Sequence, residues 1–244
     1  MVHGSSVQPD PDPAPPPDTA VTEVLAAVFT VRPGSGGLPA LHLLLWRRAL
    51  DPDAGRWALP GGVLRADEDA DASMARQLAQ KVDLSGVAHL EQLGVFSDPH
   101  RMPGRRTVAV GFLGLVPVGT DPDLPPDTAW HSADALPPTA LDHGAIAEGA
   151  LERLRAKLSY TTIGFALAPE EFTIAELRRI YAAVLGHDVD PTNLQRILSR
   201  RRVLLPTGRT APPGSTGGRP AALFRFAVRE LLVTDPFAAF RPPS

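Results

Sequence analysis

Apolar and polar positions alternate along the chain in a way that divides it before any motif is considered. The runs VTEVLAAVFTVR (21–32) and LHLLLWRR (41–48) are apolar or β-branched and of strand length, and the turn-forming PGSGG at 33–37 joins them. A loop, DPDAGR (51–56), leads into WALPGG (57–62). Over 71–82 the sequence DASMARQLAQKV sets Ala75, Leu78, Ala79 and Val82 at helical spacing, with Asp71 as the expected N-cap. Two further strands are expected at 89–96 (HLEQLGVF) and 107–116 (TVAVGFLGLV). Strands on either side of an amphipathic helix predict an α/β domain over 21–140.

The rest of the chain has helical periodicity first. In 141–160, Ile146, Ala150, Leu154 and Leu158 form one stripe, broadened by Ala147 and Leu151, which predicts a linker helix that either closes the first domain or joins it to the next. Thr173 and Glu176 have the capping-box spacing, and Ile174, Leu177, Tyr181, Val184 and Leu185 form a stripe that stops at Gly186. Asp190 and Pro191 then start a second helix, PTNLQRILSRR, whose buried side is Leu194, Ile197 and Leu198. Strands follow at 203–206 and 222–229, the second alternating Phe224, Phe226 and Val228 against Arg225 and Arg229. A loop rich in glycine and proline (207–220) separates them. Helix, turn, helix and hairpin predict a winged helix-turn-helix domain over 161–234, with a tail at 235–244. The first 20 residues hold six prolines, three aspartates and no lysine or arginine, which predicts a disordered tail.

Composition adds exclusions. The chain has 244 residues and no cysteine, so disulfides, thiolate metal sites and cysteine nucleophiles are excluded. No apolar run approaches the roughly 18 to 20 residues of a membrane span, and no signal-peptide core is present, so no membrane partner and a cytoplasmic location are expected.

Charge changes the picture more. The formal net charge is −3, yet 191–229 contains Arg196, Arg200, Arg201, Arg202, Arg209, Arg219, Arg225 and Arg229 and no acidic residue. A basic C-terminal surface is therefore joined to an acidic remainder. Asn193, Arg196 and Arg200 lie at i, i+3 and i+7 on the polar side of the second helix. Asparagine and arginine so placed match adenine and guanine edges in the major groove of double-stranded DNA, while Arg209 and Arg219 on the loop reach phosphate or the minor groove. A solvated arginine face and a protein-docking surface are the alternatives.

The most specific signal is WALPGGVLRADEDADASMARQLAQKVDL (57–84). It resembles the Nudix box, G-x5-E-x7-R-E-U-x-E-E-x-G-U with U aliphatic: Gly62, Glu68, Arg76, Leu78 and Leu84 stand at the pattern's spacings. The resemblance implies an α/β/α sandwich with a mixed sheet. In such hydrolases the helix presents three glutamates on one face to hold divalent cations against a diphosphate. Here those places are Gln77, Gln80 and Lys81, and the box glycine is Asp83. Glutamine offers only a neutral carbonyl oxygen and lysine brings a positive charge, so hard-cation affinity at this face should be nearly abolished, and no metal, no cofactor and no catalytic residues are expected. Glu68 alone suits a loop hydrogen-bond acceptor, and Arg76 a local ion pair.

A Nudix scaffold without its carboxylates, followed by a winged helix, resembles the Nudix-related transcriptional regulators of NAD metabolism (NrtR) over about 22–230. GVFSDPHRMPGRRTVAVGFLGLV (94–116), the segment 136–186, TNLQRI and GRPAALFRF carry the similarity. The resemblance implies a homodimeric repressor of NAD biosynthesis or salvage genes that an ADP-ribose or NAD effector releases from its operator. It also implies that Arg48, Arg101, Arg105 and Arg106 lie near the effector's diphosphate, with Asp142 and His143 as the family's D-H pair ahead of the linker helix. Trp57 is placed either to stack on an adenine or in the core. The competing expectation is a metal-dependent ADP-ribose pyrophosphatase or another Nudix nucleoside-diphosphate hydrolase.

Overall fold

The computed structural model describes residues 19–81, 86–212 and 220–235. Its centre is β1 (Val21–Pro33), which pairs in parallel with β6 (Thr107–Leu115) and antiparallel with β2 (Pro39–Arg47). β5 (His89–Phe96) adds beyond β6, and β3 (Trp57–Ala58) beyond β2. The short β4 (Gly61–Val63) pairs with β1, and β7 (Thr128–Ser132), which periodicity misses, pairs with β2. The result is the expected mixed sheet.

β1 lacks alternation because both of its faces are covered. Val24, Ala26 and Val28 join Leu44, Phe112 and Val116 in a core closed by Met74 and Leu78 of α1 (Ala70–Lys81). Leu25, Ala27, Phe29 and Val31 join Leu41, Leu43, Leu45, Leu113 and Leu115 on the other face. That face is closed by Ile146, Ala150, Leu154 and Leu158 of α2 (His143–Tyr160), and by α3 (Ile174–Leu185), through Leu177, Ile180, Tyr181 and Val184. Of the two places expected for the linker helix, it thus takes the one that closes the first domain, as an outer layer of the sandwich. Lys157 pins it to the edge strand through Glu91, at 2.6 Å.

Two expectations about α1 are corrected. Asp69, not Asp71, caps it: Oδ1 of Asp69 accepts the Ala72 N–H at 2.7 Å, leaving Asp71 in the first turn. The buried side is Ser73, Met74, Gln77 and Leu78, while Ala75 and Ala79 are exposed. The helix is rotated so that methionine and leucine, with far more apolar area than alanine, meet the sheet. Val82 lies outside the described residues.

In the C-terminal part the predicted start signals hold. Thr173 and Glu176 form both halves of a capping box, Gly186 ends α3 at φ 76°, and Asp190 caps α4 (Pro191–Arg200) with Pro191 in its first turn. A 3-10 turn (Ile163–Ala166) precedes α3, and β8 (Leu204–Thr210) pairs with β9 (Ala222–Phe226) to make the wing. β8 runs further and β9 stops earlier than expected, so Val228 lies beyond the strand and is exposed. Phe172 bridges to Phe224, and its ring lies 5.3 Å from that of Phe226. Among the described residues no helix is long and apolar enough to cross a membrane.

One apolar cluster runs from Leu25 through Leu154 and Tyr181 to Phe226, so the two halves are expected to melt together. Leu154→Ala should remove about 2–5 kcal/mol. In urea, fluorescence from Trp46, Trp57 and Trp130, all in the N-terminal half, should fall along the same curve as far-ultraviolet circular dichroism in parent and variant alike. Two separated transitions would contradict a shared core.

Candidate functional site

Gly61 and Gly62 of β4 sit where backbone and helix come closest. A Cβ on Gly61 would lie 2.0 Å from the Val24 carbonyl, and one on Gly62 would lie 2.4 Å from the Gln77 side chain. The Gly-Gly pair lets the loop lie flat on β1 and α1, and its other side walls a cleft of about 260 Å³. Glu23, Trp46, Arg48, Leu59, Met102, Arg105 and His143 are among the other residues that line it.

The degenerate box is a closed polar network. Glu68 accepts the Arg65 N–H at 2.9 Å and Nε of Arg76 at 2.8 Å, with a second bond from Nη2. Hydrogen bonding from Arg76 holds its carboxyl down to about 2. Glu68 is therefore the loop's acceptor and Arg76 its ion-pair partner. Gln77 is buried, and with its amide turned to satisfy both ends it donates to the Gly61 carbonyl at 3.2 Å and accepts from Arg76 at 3.3 Å. Gln80 is exposed, whereas the Lys81 side chain, Asp83 and Leu84 lie outside what the structure describes. Among the described residues no three His, Asp or Glu side chains converge as a cation site.

The structure divides the expected phosphate arginines. Arg48 and Arg105 line the cleft; Nε of Arg48 donates to the Pro52 carbonyl at 2.7 Å, and Arg105 is exposed at the rim. Arg106 donates to the Ser97 carbonyl at 2.9 Å and does not line the cleft. Arg101 departs most from expectation: its side chain is 1% exposed, with Nη1 on Glu23 at 2.6 Å and Nε and Nη2 on Asp142 at 2.9 Å each. In this state it neutralises carboxylates instead of facing the cleft, because the buried Glu23 and the half-buried Asp142 need a cation beside them. Asp142 faces Arg101 and not the cleft. His143, which does reach the cleft, is buried, and its Nδ1 accepts the Leu59 N–H at 2.9 Å.

Trp57 is not available for stacking in the cleft. Arg47 covers it at 4.5 Å and the His131 ring meets its edge at 4.2 Å. The tryptophan at the cleft is Trp46, whose Nε1 donates to the Leu59 carbonyl at 3.1 Å. Its place is readable in the sequence: it ends the β2 run, two residues before Arg48, on the face opposite Leu45.

On α4, Asn193, Arg196 and Arg200 are exposed together, and Nη2 of Arg196 donates to Oδ1 of Asn193 at 2.6 Å. Arg209 stands on β8, paired with Glu171 at 2.8 Å, and Arg219 lies outside the described residues. The basic window is not one surface. Arg201 turns inward to Asp235 (2.7 Å) and the Ser159 carbonyl (2.9 Å). Arg229, expected on an outer strand face, donates to the Phe165 carbonyl at 3.1 Å, since β9 has already ended.

Burial holds the His143 imidazole down to about 4, against 6.5 when free; Asp142 opposes this and Arg101 and Arg48 add to it. The unfolded chain then takes up a proton that the folded one refuses. Stability should be complete above about pH 6.5 and fall by roughly 3 kcal/mol as the pH drops through 4. His143→Asn retains an acceptor for the Leu59 N–H and should flatten that slope in thermal melts between pH 7 and 4. Parallel slopes in parent and variant would refute the assignment.

Comparison with known proteins places both halves. Residues 22–153 match the family model of the NUDIX domain, and residues 164–226 match that of the NrtR DNA-binding winged helix domain. The chain is 29% identical over 211 residues to the ADPR responsive transcriptional repressor NtrR of Acinetobacter baylyi, covering 84% of this chain and 81% of that one. It is 28% identical to an ADP-ribose pyrophosphatase of Methanocaldococcus jannaschii, over 43% of this chain and 62% of the other. Among solved structures, Shewanella oneidensis NrtR complexed with a 27mer DNA superposes with a TM-score of 0.70 at 28% identity, covering 84% of this chain and 93% of that one. The chain belongs to the Nudix family, and its Nudix domain is followed by a DNA-binding winged helix of the NrtR type.

Proposed function

We propose that this protein is a homodimeric transcriptional repressor of NAD biosynthesis or salvage genes, released from its operator by ADP-ribose. One observation carries the reading: a winged helix with an exposed Asn193–Arg196–Arg200 face shares a core with a Nudix cleft in which Gln77 packs on Gly62 where the family places a metal-binding glutamate. The similarity to a repressor named for its response to ADPR, and to a relative crystallised on DNA, supports the same reading. ADP-ribose is preferred to NAD on that name.

The cleft's chemistry is compatible with such a ligand. Arg48 and Arg105 supply planar donors for a diphosphate, Trp46 an aromatic face, and Arg101 cancels the charge of Glu23 in the wall. With Glu68 committed to Arg76 and Gln77 neutral, the domain binds without hydrolysing. The decisive experiment is operator binding followed by fluorescence anisotropy, with and without ADP-ribose or NAD, in EDTA. ADP-ribose should weaken the complex about 5- to 150-fold. Phosphate or AMP release with millimolar magnesium should stay at background, and turnover in the roughly 1 to 1000 per second range of ordinary enzymes would return the protein to the hydrolases.

The DNA face separates two roles. Arg196→Ala should cost about 1–3 kcal/mol per half-site and relax base preference at one symmetric position. Arg209→Ala should weaken operator and random DNA alike, and lower the salt slope by about one unit for each phosphate that is no longer neutralised. If both folded variants bind DNA like the parent, α4 and the wing serve to dock protein.

A further inference from the structure

We infer that the Arg101–Asp142 ion pair couples the cleft to the DNA-binding half through α2, with both residues acting as positioning residues. The inference rests on the reading above and names how that site is regulated.

α2 begins with a capping residue that does not cap. Asp142 is its N-cap, yet the side chain accepts no bond from the helix's first N–H groups. Both carboxylate oxygens are held by the fork of Arg101, at 2.9 Å each. The remaining arm of the same guanidinium holds Glu23, which lines the cleft. One buried side chain thus ties the cleft wall to the N-cap of α2.

The junction itself is strained. Leu141 has φ 49°, in the left-handed region that a Cβ atom disfavours, and its N–H is held by Oδ2 of Asp53 at 2.9 Å. On its other side His143 is gripped by Leu59, another cleft residue. Residues 141–143 are therefore held by three separate segments that build or border the cleft.

The far half of α2 is fastened to the winged helix. Nε of Arg155 donates to the Val184 carbonyl in α3 at 2.9 Å, and the Ser159 carbonyl accepts from Arg201, next after α4, at 2.9 Å. A helix fixed at one end to the DNA-binding half and at the other to the cleft has the connections a coupling element needs.

The charges give it two settings. An anionic ligand beside Glu23 competes with Glu23 and Asp142 for Arg101. When phosphate oxygens draw the guanidinium, Asp142 is left free to accept from the open N–H groups of α2, where a carboxylate is favoured by the helix terminus. Tied and capped states of one junction form a two-state element biased from the cleft and read at α3 and α4.

Asp142→Asn tests this. Asparagine keeps the size and a capping oxygen but loses the charge that holds Arg101. The readout is the ratio of operator affinities without and with ADP-ribose, each protein first shown by calorimetry to be saturated. The parent ratio, on the order of 5 to 150, should fall below about twofold in D142N. A folded D142N with the parent ratio overturns the coupling, even if its melting temperature drops, because the pair is then merely structural. Should D142N not fold, Leu141→Gly decides in its place: glycine suits the φ of 49° and removes the strain, and the ratio should again fall, an unchanged one overturning the inference. A parent that binds no ADP-ribose, or keeps its operator affinity when saturated, overturns the functional reading and this inference together. A responsive parent with an equally responsive D142N overturns the coupling alone.

Discussion

β1 is buried on both faces, and the rest of the molecule is arranged around that constraint. A strand without water on either side has every ladder position paired and needs a helix layer above and below. α1 supplies one layer, and α2 with α3 the other. The same strand carries Glu23 in the cleft wall and reaches Val31 beneath α3, roughly 25 Å further on. The cleft and the DNA-binding half are built on the two ends of one rigid element.

Local physics is legible wherever a residue's partner lies a few positions away. The Thr173–Glu176 box, the Asp190–Pro191 start and the Gly186 stop involve neighbours in sequence, so spacing alone locates them. The Gly62, Glu68 and Arg76 spacing places the Nudix loop for the same reason. Partners far along the chain cannot be read this way. Sequence groups Arg101 with its neighbours Arg105 and Arg106 as a cation, but its environment is set by Glu23 and Asp142, 78 and 41 residues away. Asp142 has the propensity of a helix cap, and a buried arginine competes with the backbone for it and wins. The α1 stripe shifts by one position because periodicity counts alanine equal to methionine.

Glutamine at the place of the box glutamate is more than a deletion of charge. Gln77 fills the space above Gly62 so closely that a Cβ there would strike it, and its amide joins Gly61 to Arg76. A neutral side chain with one donor and one acceptor end fits between a carbonyl and a guanidinium, as a carboxylate beside that carbonyl does not. Arg76, still at its box position, then serves Glu68 and Gln77 together. The loop has been re-satisfied as a structural corner, and the neighbouring cleft is left without the acidic face that would repel a diphosphate.

The placement of α3 bears on the order in which the protein is made. Leu41, Leu43 and Leu45 of β2 are translated early, but α3, which packs against this end of the sheet, is translated more than a hundred residues later. During synthesis the N-terminal half leaves the ribosome with an apolar face uncovered, and it cannot complete its core until the first helix of the winged helix has emerged. The nascent chain therefore passes through a sticky, half-closed sandwich, and the DNA-binding half acts as the last structural part of the Nudix half before it acts on anything else.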